Sequence, residues 1–244
     1  MTAWLRWRGC ADRLVAGVLA VPATPLVAGL AMAVRRHDPG PGLIRLERIG
    51  RHGRPFRQWK LRSMRTGNGG GPSAPITAAE DPRVTSLGRR LRHFRLDEVP
   101  QLINVVAGEM ALLGPRPEAP AYVDLSEGRW REVLDARPGI AGPTQVLVAD
   151  WEAEVVAASD DPDAYRRTVL PLKLAIDVWY VRNASPAIDV LVLTALVQRF
   201  FGSPRRTALY ARVAADVPEA VMLTGADGGS SRSDDGLSGS HRGR

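Results

Sequence analysis

The first block of hydrophobic positions is also the longest in the chain. Residues 14–34 contain no charged side chain and present no polar face. At 1.5 Å per residue, these 21 residues would form a straight helix of about 32 Å, long enough to cross the hydrocarbon core of a bilayer. The missing polar face disfavours a buried helix of a soluble protein, and the prolines inside the block disfavour a secretory signal peptide. The pattern therefore predicts a membrane helix.

Two prolines, Pro22 and Pro25, lie in the middle of this block. Each removes a backbone donor and favours a kink. Both flanks of the block are basic, whereas a spanning helix usually carries its excess of Lys and Arg on one side. These features favour a re-entrant helix, with both ends on the cytoplasmic side, over a spanning helix. Either arrangement places the protein on a membrane.

Shorter elements follow this block. Mixed apolar and basic residues predict short strands or extended loops at 43–49 and 54–62. The Gly-rich stretch 67–75 is typical of a flexible loop, and it lacks the Gly-Lys-Ser/Thr of a phosphate-binding loop. Residues 84–94 combine helical spacing of apolar positions with a basic face. That combination is typical of a core helix with a solvated face and equally of a helix on anionic lipid.

Apolar periodicity predicts four further helices, at residues 97–109, 125–136, 170–180 and 187–201. The first should bury Leu102, Val105 and Val106. The last is short for a membrane span, so we expect it to dock at the interface of the bilayer. The elements together predict a mainly α fold with short β elements (α+β), in a monotopic membrane protein with interfacial amphipathic helices.

This pattern divides the chain into three parts. Residues 1–37 form an N-terminal membrane segment, residues 38–202 form the main domain, and residues 203–244 form a C-terminal extension. From about residue 225 the chain is rich in Gly, Ser, Arg and Asp, which predicts disorder.

Charge adds a second kind of information. The 244 residues carry a net charge of +7, and the single Cys10 excludes a disulfide framework and any zinc site built on cysteines. Residues 35–65 have a net charge of +8, whereas residues 118–163 have a net charge of −8. The basic first half indicates an anionic partner, which could be a nucleic acid, a phospholipid surface or a phosphorylated substrate. Composition does not choose among them.

An adjacent pair of carboxylates, Asp97 and Glu98, lies in a basic stretch. One interpretation is a helix N-terminus, with Asp as the cap and Pro100 in the first turn. The other is a nucleophilic carboxylate beside one that binds a metal. A carboxylate that attacks a diphosphate meets charge repulsion, which Mg²⁺ and nearby arginines would have to neutralise. Mg²⁺ commonly takes one or two carboxylates and completes its shell with phosphate and water.

Two other basic residues stand out. Arg116 lies between two prolines in Gly114-Pro115-Arg116-Pro117, which is either a plain surface turn or a rigid mount for a phosphate-binding guanidinium. Lys60 is unusual because the chain has 31 Arg and only two Lys, the other being Lys173. A specific role for Lys60 is therefore a reasonable hypothesis.

The order of these motifs resembles the bacterial sugar transferases, the small monotopic phosphoglycosyl transferases that begin lipid-linked polysaccharide assembly. The resemblance runs from about residue 12 to residue 201. Beyond the apolar segment with its prolines, it rests on Lys60-Leu61-Arg62-Ser63-Met64, Asp81-Pro82-Arg83-Val84-Thr85, Leu96-Asp97-Glu98-Val99-Pro100-Gln101, Gly108-Glu109-Met110, Gly114-Pro115-Arg116-Pro117-Glu118, Arg137-Pro138-Gly139-Ile140 and Gln145-Val146.

The resemblance implies a reaction. Such enzymes move a phosphosugar from a UDP-sugar to undecaprenyl phosphate, a polyprenol phosphate, and release UMP. In this sequence Asp97 would be the nucleophile that forms a covalent phosphosugar intermediate, and Glu98 would hold Mg²⁺. The family's helix is re-entrant, which implies that Pro22 and Pro25 mark a turn within the membrane. The implied location is the inner membrane, with the catalytic domain on its cytoplasmic face.

The resemblance also implies substrate-binding residues. Arg92, five positions before Asp97, matches a family arginine linked to phosphate binding, and five other residues lie in matching motifs. They are Lys60, Arg62, Arg116, Arg137 and Gln145. Many members continue with Gly-x-x-Gln-Val-x-Gly-Arg, whereas here Gln145-Val146 leads into Leu147-Val148-Ala149-Asp150. The arginine expected there is missing, and we expect Asp150, Glu152 and Glu154 to reshape the sugar or uridine pocket.

Two alternatives stay open. A membrane-associated glycosyltransferase that releases UDP would need catalytic residues other than Asp97 and Glu98. A non-enzymatic basic membrane or nucleic-acid binder would explain the charge but not the order of motifs. Its aromatic residues do not interleave with the arginines as single-strand binding prefers, so we expect no nucleic-acid partner. The expected partners are the UDP-sugar, the polyprenol phosphate and phospholipid, with a homo-oligomer left open. The sequence does not specify the sugar.

Overall fold

The structure, a computed structural model, describes residues 2–65, 81–159, 161, 163–201 and 208–228. The predicted loop at 67–75 lies outside these residues, and so does most of the predicted tail. The described chain is mostly helical with a few short strands, which confirms the mainly α class. Its helices are α1 (Ala3–His37), α2 (Ser86–His93), α3 (Leu102–Ala107), α4 (Gly128–Val133), α5 (Pro143–Leu147), α6 (Ala149–Ala158), α7 (Leu170–Asn183), α8 (Pro186–Phe201) and α9 (Ala208–Asp216).

The strands form two pairs. The strands β1 (Leu43–Ile49) and β2 (Pro55–Leu61) are antiparallel and joined by a 3₁₀ turn, so both predicted strands are confirmed. The strands β3 (Ala111–Leu113) and β4 (Gly139–Ala141) are parallel. A Cβ atom on Gly139 would lie only 2.1 Å from the backbone nitrogen of Gly114. The second pairing therefore requires a glycine at this position.

The main core surrounds α7. This helix is buried on nearly all sides, with Ile176, Tyr180 and Val181 fully enclosed. The helix α8 follows the same core only along one face, and its Val190, Leu193 and Val197 remain exposed. The two predicted apolar helices at 170–180 and 187–201 are both present, and α7 is a core helix.

The region after α2 differs from the predicted single helix at 97–109. Residues Leu96–Gln101 form a 3₁₀ segment, and α3 begins only at Leu102. Arg95 has a left-handed backbone (φ 53°) and Pro100 has no backbone N–H, and together they prevent a continuous α-helix here. Val105 is buried as predicted, but Val106 is 46% exposed, so the prediction for Val106 was wrong.

The first helix, α1, continues through both prolines without a break, and it contacts the rest of the protein near both ends. At its start, Arg8 and Asp12 are buried against the domain. At its end, Val34 packs in one cluster with Leu61 and Leu91. Between these contacts Pro22 and Pro25 are exposed, and the Thr24 hydroxyl donates to the Ala20 carbonyl at 2.7 Å. Among the described residues, α1 alone has the length and composition to cross a membrane.

Candidate active site

A large cavity of about 840 Å³ lies between the β1–β2 hairpin, the 3₁₀ segment Leu96–Gln101 and the helices α5 to α7. Nine cationic and five anionic side chains line it. The cationic ones are Arg48, Lys60, Arg62, Arg65, Arg83, Arg92, Arg95, Arg116 and Lys173, and the anionic ones are Glu47, Asp97, Glu98, Glu118 and Glu152. The excess of positive charge suits an anionic ligand of the size of a nucleotide sugar.

The adjacent carboxylates lie at the centre of this charge. Asp97 and Glu98 occupy the first turn of the 3₁₀ segment and are 2% and 7% exposed. Lys60, at the end of β2, places its Nζ 2.9 Å from Asp97 Oδ2 and 3.7 Å from Glu98 Oε1. The structure thus brings together three residues that the sequence singled out separately.

Glu98 is surrounded by cations. Besides Lys60, the guanidinium groups of Arg116 and Arg95 lie 3.4 Å and 3.6 Å from its two oxygens. Burial alone would raise the pKa of Glu98, but Arg116, Lys60 and Arg95 outweigh it and lower the pKa to about 2. Glu98 is therefore a permanently charged carboxylate at neutral pH.

The carboxylate of Glu98 fits a divalent cation. Glu98 Oε2 is buried and accepts no hydrogen bond from the described residues. A buried carboxylate oxygen without a donor is a suitable ligand for a hard cation. Within the described ranges there is no cluster of three or more Asp, Glu, His or Cys that could hold a metal alone. Mg²⁺ bound here would need further ligands from phosphate and water, which is its common mode of binding.

The predicted substrate-binding residues divide into two groups. Lys60, Arg92, Arg116 and Gln145 all line the cavity. Arg92 is held by a hydrogen bond from its Nε to Ser63 Oγ at 2.9 Å, and Gln145 donates to the Ile140 carbonyl at 2.8 Å while its Oε1 accepts no hydrogen bond from the described residues. These four residues therefore lie where they could contact a ligand in the cavity, and their role in binding substrate stays a prediction.

The other two depart from the expectation. Arg62 borders the cavity, but its guanidinium donates to the carbonyls of Asp38 and Pro39 and pairs with the Asp38 carboxylate at 2.9 Å. It therefore holds the turn that follows α1. Arg137 is not in the cavity at all, because its Nε donates to the Gly108 carbonyl at 3.0 Å, beneath α1. The cavity therefore gives no support to the predicted contact of Arg137 with substrate, which stays a prediction.

Sequence reasoning missed a buried polar cluster at the far wall. Lys173 Nζ lies 2.6 Å from Glu118 Oε1, 2.7 Å from the Tyr165 hydroxyl and 3.5 Å from Glu152 Oε2. The one available signal was the rarity of lysine in this chain. Of the three acids expected to reshape the pocket, Glu152 lines it, whereas Asp150 pairs with Arg199 and Glu154 is exposed.

Asp177 lies behind this cluster and gives a pH prediction. Burial raises its pKa to about 8, although Lys173 and hydrogen bonds from Thr144 and the Arg116 backbone oppose the shift. From about pH 4 to 8 the folded chain keeps a proton that the unfolded chain has lost, so the free energy of unfolding should fall with rising pH, by at most about 1.4 kcal/mol per pH unit. The Asp177→Asn variant should lose this slope.

Denaturant unfolding in detergent between pH 5 and 8 checks this prediction. The matched control is Asp135→Asn, which changes an exposed aspartate outside the cavity and should keep the slope of the unsubstituted protein. A slope that is equally steep in Asp177→Asn would contradict the assignment.

Known proteins match most of this chain. The family described as bacterial sugar transferase matches residues 4–203. A UDP-glucose:undecaprenyl-phosphate glucose-1-phosphate transferase of Caulobacter vibrioides is 41% identical over 189 residues, which cover 76% of this chain and 66% of the relative. The family match over residues 4–203 therefore includes nearly all of α1, the residues that line the cavity, and α8.

Two further relatives differ in the sugar that their names contain. A UDP-N-acetylgalactosamine-undecaprenyl-phosphate N-acetylgalactosaminephosphotransferase of Aeromonas hydrophila is 34% identical, over 74% of this chain and 40% of the relative. A UDP-glucose:undecaprenyl-phosphate glucose-1-phosphate transferase of Escherichia coli is 30% identical, over 78% and 39%. The chain thus spans less than two thirds of the length of each of the three relatives.

Proposed function

The chain belongs to the bacterial sugar transferase family, and from this premise we propose that it moves a sugar 1-phosphate from a UDP-sugar to undecaprenyl phosphate and releases UMP. The relatives named above are transferases of this kind. The observation that carries the proposal is the buried Asp97, 2.9 Å from Lys60 in a cavity lined by arginines. Such a carboxylate is shielded from water and faces cations that can receive a diphosphate.

In the first step Asp97 attacks the phosphorus that carries the sugar. The bond from that phosphorus to the bridging oxygen breaks, and UMP leaves with the electron pair. Lys60 orients the attacking carboxylate through their ion pair, while Arg92 and Arg116 bind the oxygens of the diphosphate and offset the charge that develops on them. The product of this step is a phosphosugar ester on Asp97.

Glu98 is the residue that would hold Mg²⁺. When bound, the ion would neutralise charge on the phosphoryl oxygens, so that a carboxylate can approach them. The buried Glu98 Oε2, with no hydrogen-bond donor among the described residues, supports this part of the proposal. Arg95 and Arg116 hold the carboxylate of Glu98 in place with or without the ion.

In the second step a phosphate oxygen of undecaprenyl phosphate attacks the phosphorus of the Asp97 ester. The bond between Asp97 and phosphorus breaks, which regenerates the carboxylate and yields an undecaprenyl diphosphate sugar. This chemistry is the first step in building an exopolysaccharide or another glycoconjugate on a lipid.

A lipid acceptor requires the site to lie at the membrane. We propose that α1 enters one leaflet of the inner membrane and returns, with the catalytic domain on the cytoplasmic face. The contacts near both ends of α1 support this arrangement, because Arg8 and Val34 pack on the same domain. The exposed apolar side chains of α1, among them Leu14, Val18 and Val21, would face lipid.

The identity of the released nucleotide tests the reaction. Protein purified in detergent would receive Mg²⁺, undecaprenyl phosphate and each of several UDP-sugars, and the nucleotides would be separated by chromatography. We expect UMP with at least one donor, in an amount that depends on the lipid phosphate. Release of UDP in its place would identify a glycosyltransferase that moves only the sugar, and it would overturn the proposed mechanism.

A further inference from the structure

A second cavity, of about 700 Å³, lies on the other side of the 3₁₀ segment and is lined almost entirely by apolar side chains. It is a groove between α1, the start of α3, the β3–β4 pair and α8. We call it the apolar groove, and its apolar lining residues are Trp4, Leu19, Val99, Leu102, Leu112, Leu113, Ile140, Ala141, Pro186, Val190, Leu193 and Leu196. Apart from Glu98 and Arg95 at its edge, the proposed reaction of the nucleotide sugar uses none of these residues.

The apolar groove joins the candidate active site. Arg95 and Glu98 line both cavities, so these two residues form the boundary between them. The left-handed backbone of Arg95 directs its guanidinium to this boundary, where it lies 3.6 Å from Glu98 Oε2 and 3.3 Å from the carbonyl of Gln145. The charged cavity and the apolar groove thus meet at Glu98, the residue that follows Asp97 in the chain.

The outer rim of the apolar groove is exposed and apolar. Leu19 of α1 is 46% exposed, and Val190 and Leu193 of α8 are 59% and 47% exposed. These side chains continue the exposed apolar face of α1, which includes Val15 and Val18. The groove therefore leads from the boundary at Arg95 to the part of the surface that the proposed function places against lipid.

We propose that the apolar groove binds the first isoprene units of the polyprenol phosphate acceptor, with the phosphate entering the active site beside Arg95. An amphiphile with a charged head and a long hydrocarbon chain matches a charged cavity that opens into an apolar groove. In this arrangement the phosphate of the acceptor lies beside Asp97, and the rest of the polyprenol remains in the bilayer. This inference rests on the proposed function.

Substitutions that fill the groove test it. We choose Leu193→Trp, because this rim residue is partly exposed and a larger side chain can enter the groove without disturbing the core. The matched control is Val197→Trp, one turn further along the same helix, exposed to 55% and not part of the groove. Both variants place the same apolar side chain, Trp, on α8.

Two measurements distinguish binding of the acceptor in the groove from the reaction of Asp97 with the nucleotide sugar. The first is UMP release in a single turnover without acceptor, which should be equal in the unsubstituted protein, Leu193→Trp and Val197→Trp. The second is the KM for undecaprenyl phosphate, which should rise at least about tenfold in Leu193→Trp alone. The reason is that the tryptophan prevents several methylene groups of the polyprenol from being buried in the groove. With a ten-carbon prenyl phosphate, which keeps the first two isoprene units, the difference between the two variants should persist.

The outcomes that overturn the inference are distinct from failure of the proposed function. Equal KM values for undecaprenyl phosphate in the two variants would mean that the polyprenol does not bind in the apolar groove. A change in the mass of the detergent-solubilised protein in Leu193→Trp only would show that a second copy covers the groove instead. Absence of UMP release in all three proteins would refute the proposed function itself.

Discussion

Replacing Asp97 by asparagine should lower turnover by about 10⁴-fold or more, the loss typical of removing a nucleophile. An amide oxygen is a poor nucleophile and cannot form the proposed phosphosugar ester. The fold should survive, because asparagine has the shape of aspartate and Lys60 keeps a second carboxylate, Glu98, at 3.7 Å. UMP release should fall accordingly, and mass spectrometry should find the phosphosugar adduct on the unsubstituted protein only.

The control for this experiment is again Asp135→Asn, because Asp135 is an exposed aspartate that faces His52 away from the cavity. It should turn over at the rate of the unsubstituted protein. Substantial activity of a clean Asp97→Asn preparation would exclude Asp97 as the nucleophile, and the other buried acids of the cavity would become the candidates.

The second large effect is expected on stability. Replacing Asp189 by alanine should destabilise the protein by about 3–5 kcal/mol, because it leaves the buried Tyr180 hydroxyl and the Trp4 indole N–H without their acceptor and removes one of the two carboxylates that pair with Arg8. Asp189 is 6% exposed, pairs with Arg8, and accepts hydrogen bonds from Trp4 Nε1 at 2.7 Å and the Tyr180 hydroxyl at 2.6 Å. Arg8 also donates to the Leu113 carbonyl, so this network fastens α1 to both α8 and β3.

Denaturant unfolding in detergent measures this loss. The comparison is Asp150→Ala, which breaks a more exposed ion pair with Arg199 on the same helix α8. An exposed ion pair contributes at most about 1 kcal/mol, so this variant should unfold close to the unsubstituted protein. Equal stability of the two variants would mean that the Asp189 network does not hold α1.

How much of the structure could be predicted from the sequence depended on how close together in the chain the residues of each feature lie. The strands, α2 and the apolar helices follow from periodicity within a few residues, and they are present. The Asp97–Glu98 pair and Arg116 were recognisable because each lies in a short motif of neighbouring residues. The structure places Lys60, from a strand distant in the sequence, beside Asp97. Their meeting in one cavity agrees with the order of motifs that the sequence contains.

The departures from expectation concern side chains whose orientation depends on packing against residues distant in the sequence. Arg137 lies in a recognisable Arg-Pro-Gly segment, but the pairing of β4 with β3 turns its side chain towards Gly108. The cluster of Glu118, Tyr165 and Lys173 joins residues up to 55 positions apart, with no periodic signal. Val106 has the spacing of a core residue, but the 3₁₀ segment before α3 rotates it to the surface.

The fastening of α1 near both of its ends has a mechanical consequence. A helix fixed at one end can tilt to match a thicker or thinner bilayer, whereas a helix fixed at two points to one rigid body cannot. Its first fixed point is the Arg8–Asp189 network and its second is the contact of Val34 with Leu61 and Leu91. If α1 lies in one leaflet, as we propose, its two fixed points set the depth of Asp97 relative to the lipid surface, and this depth should not change with bilayer thickness.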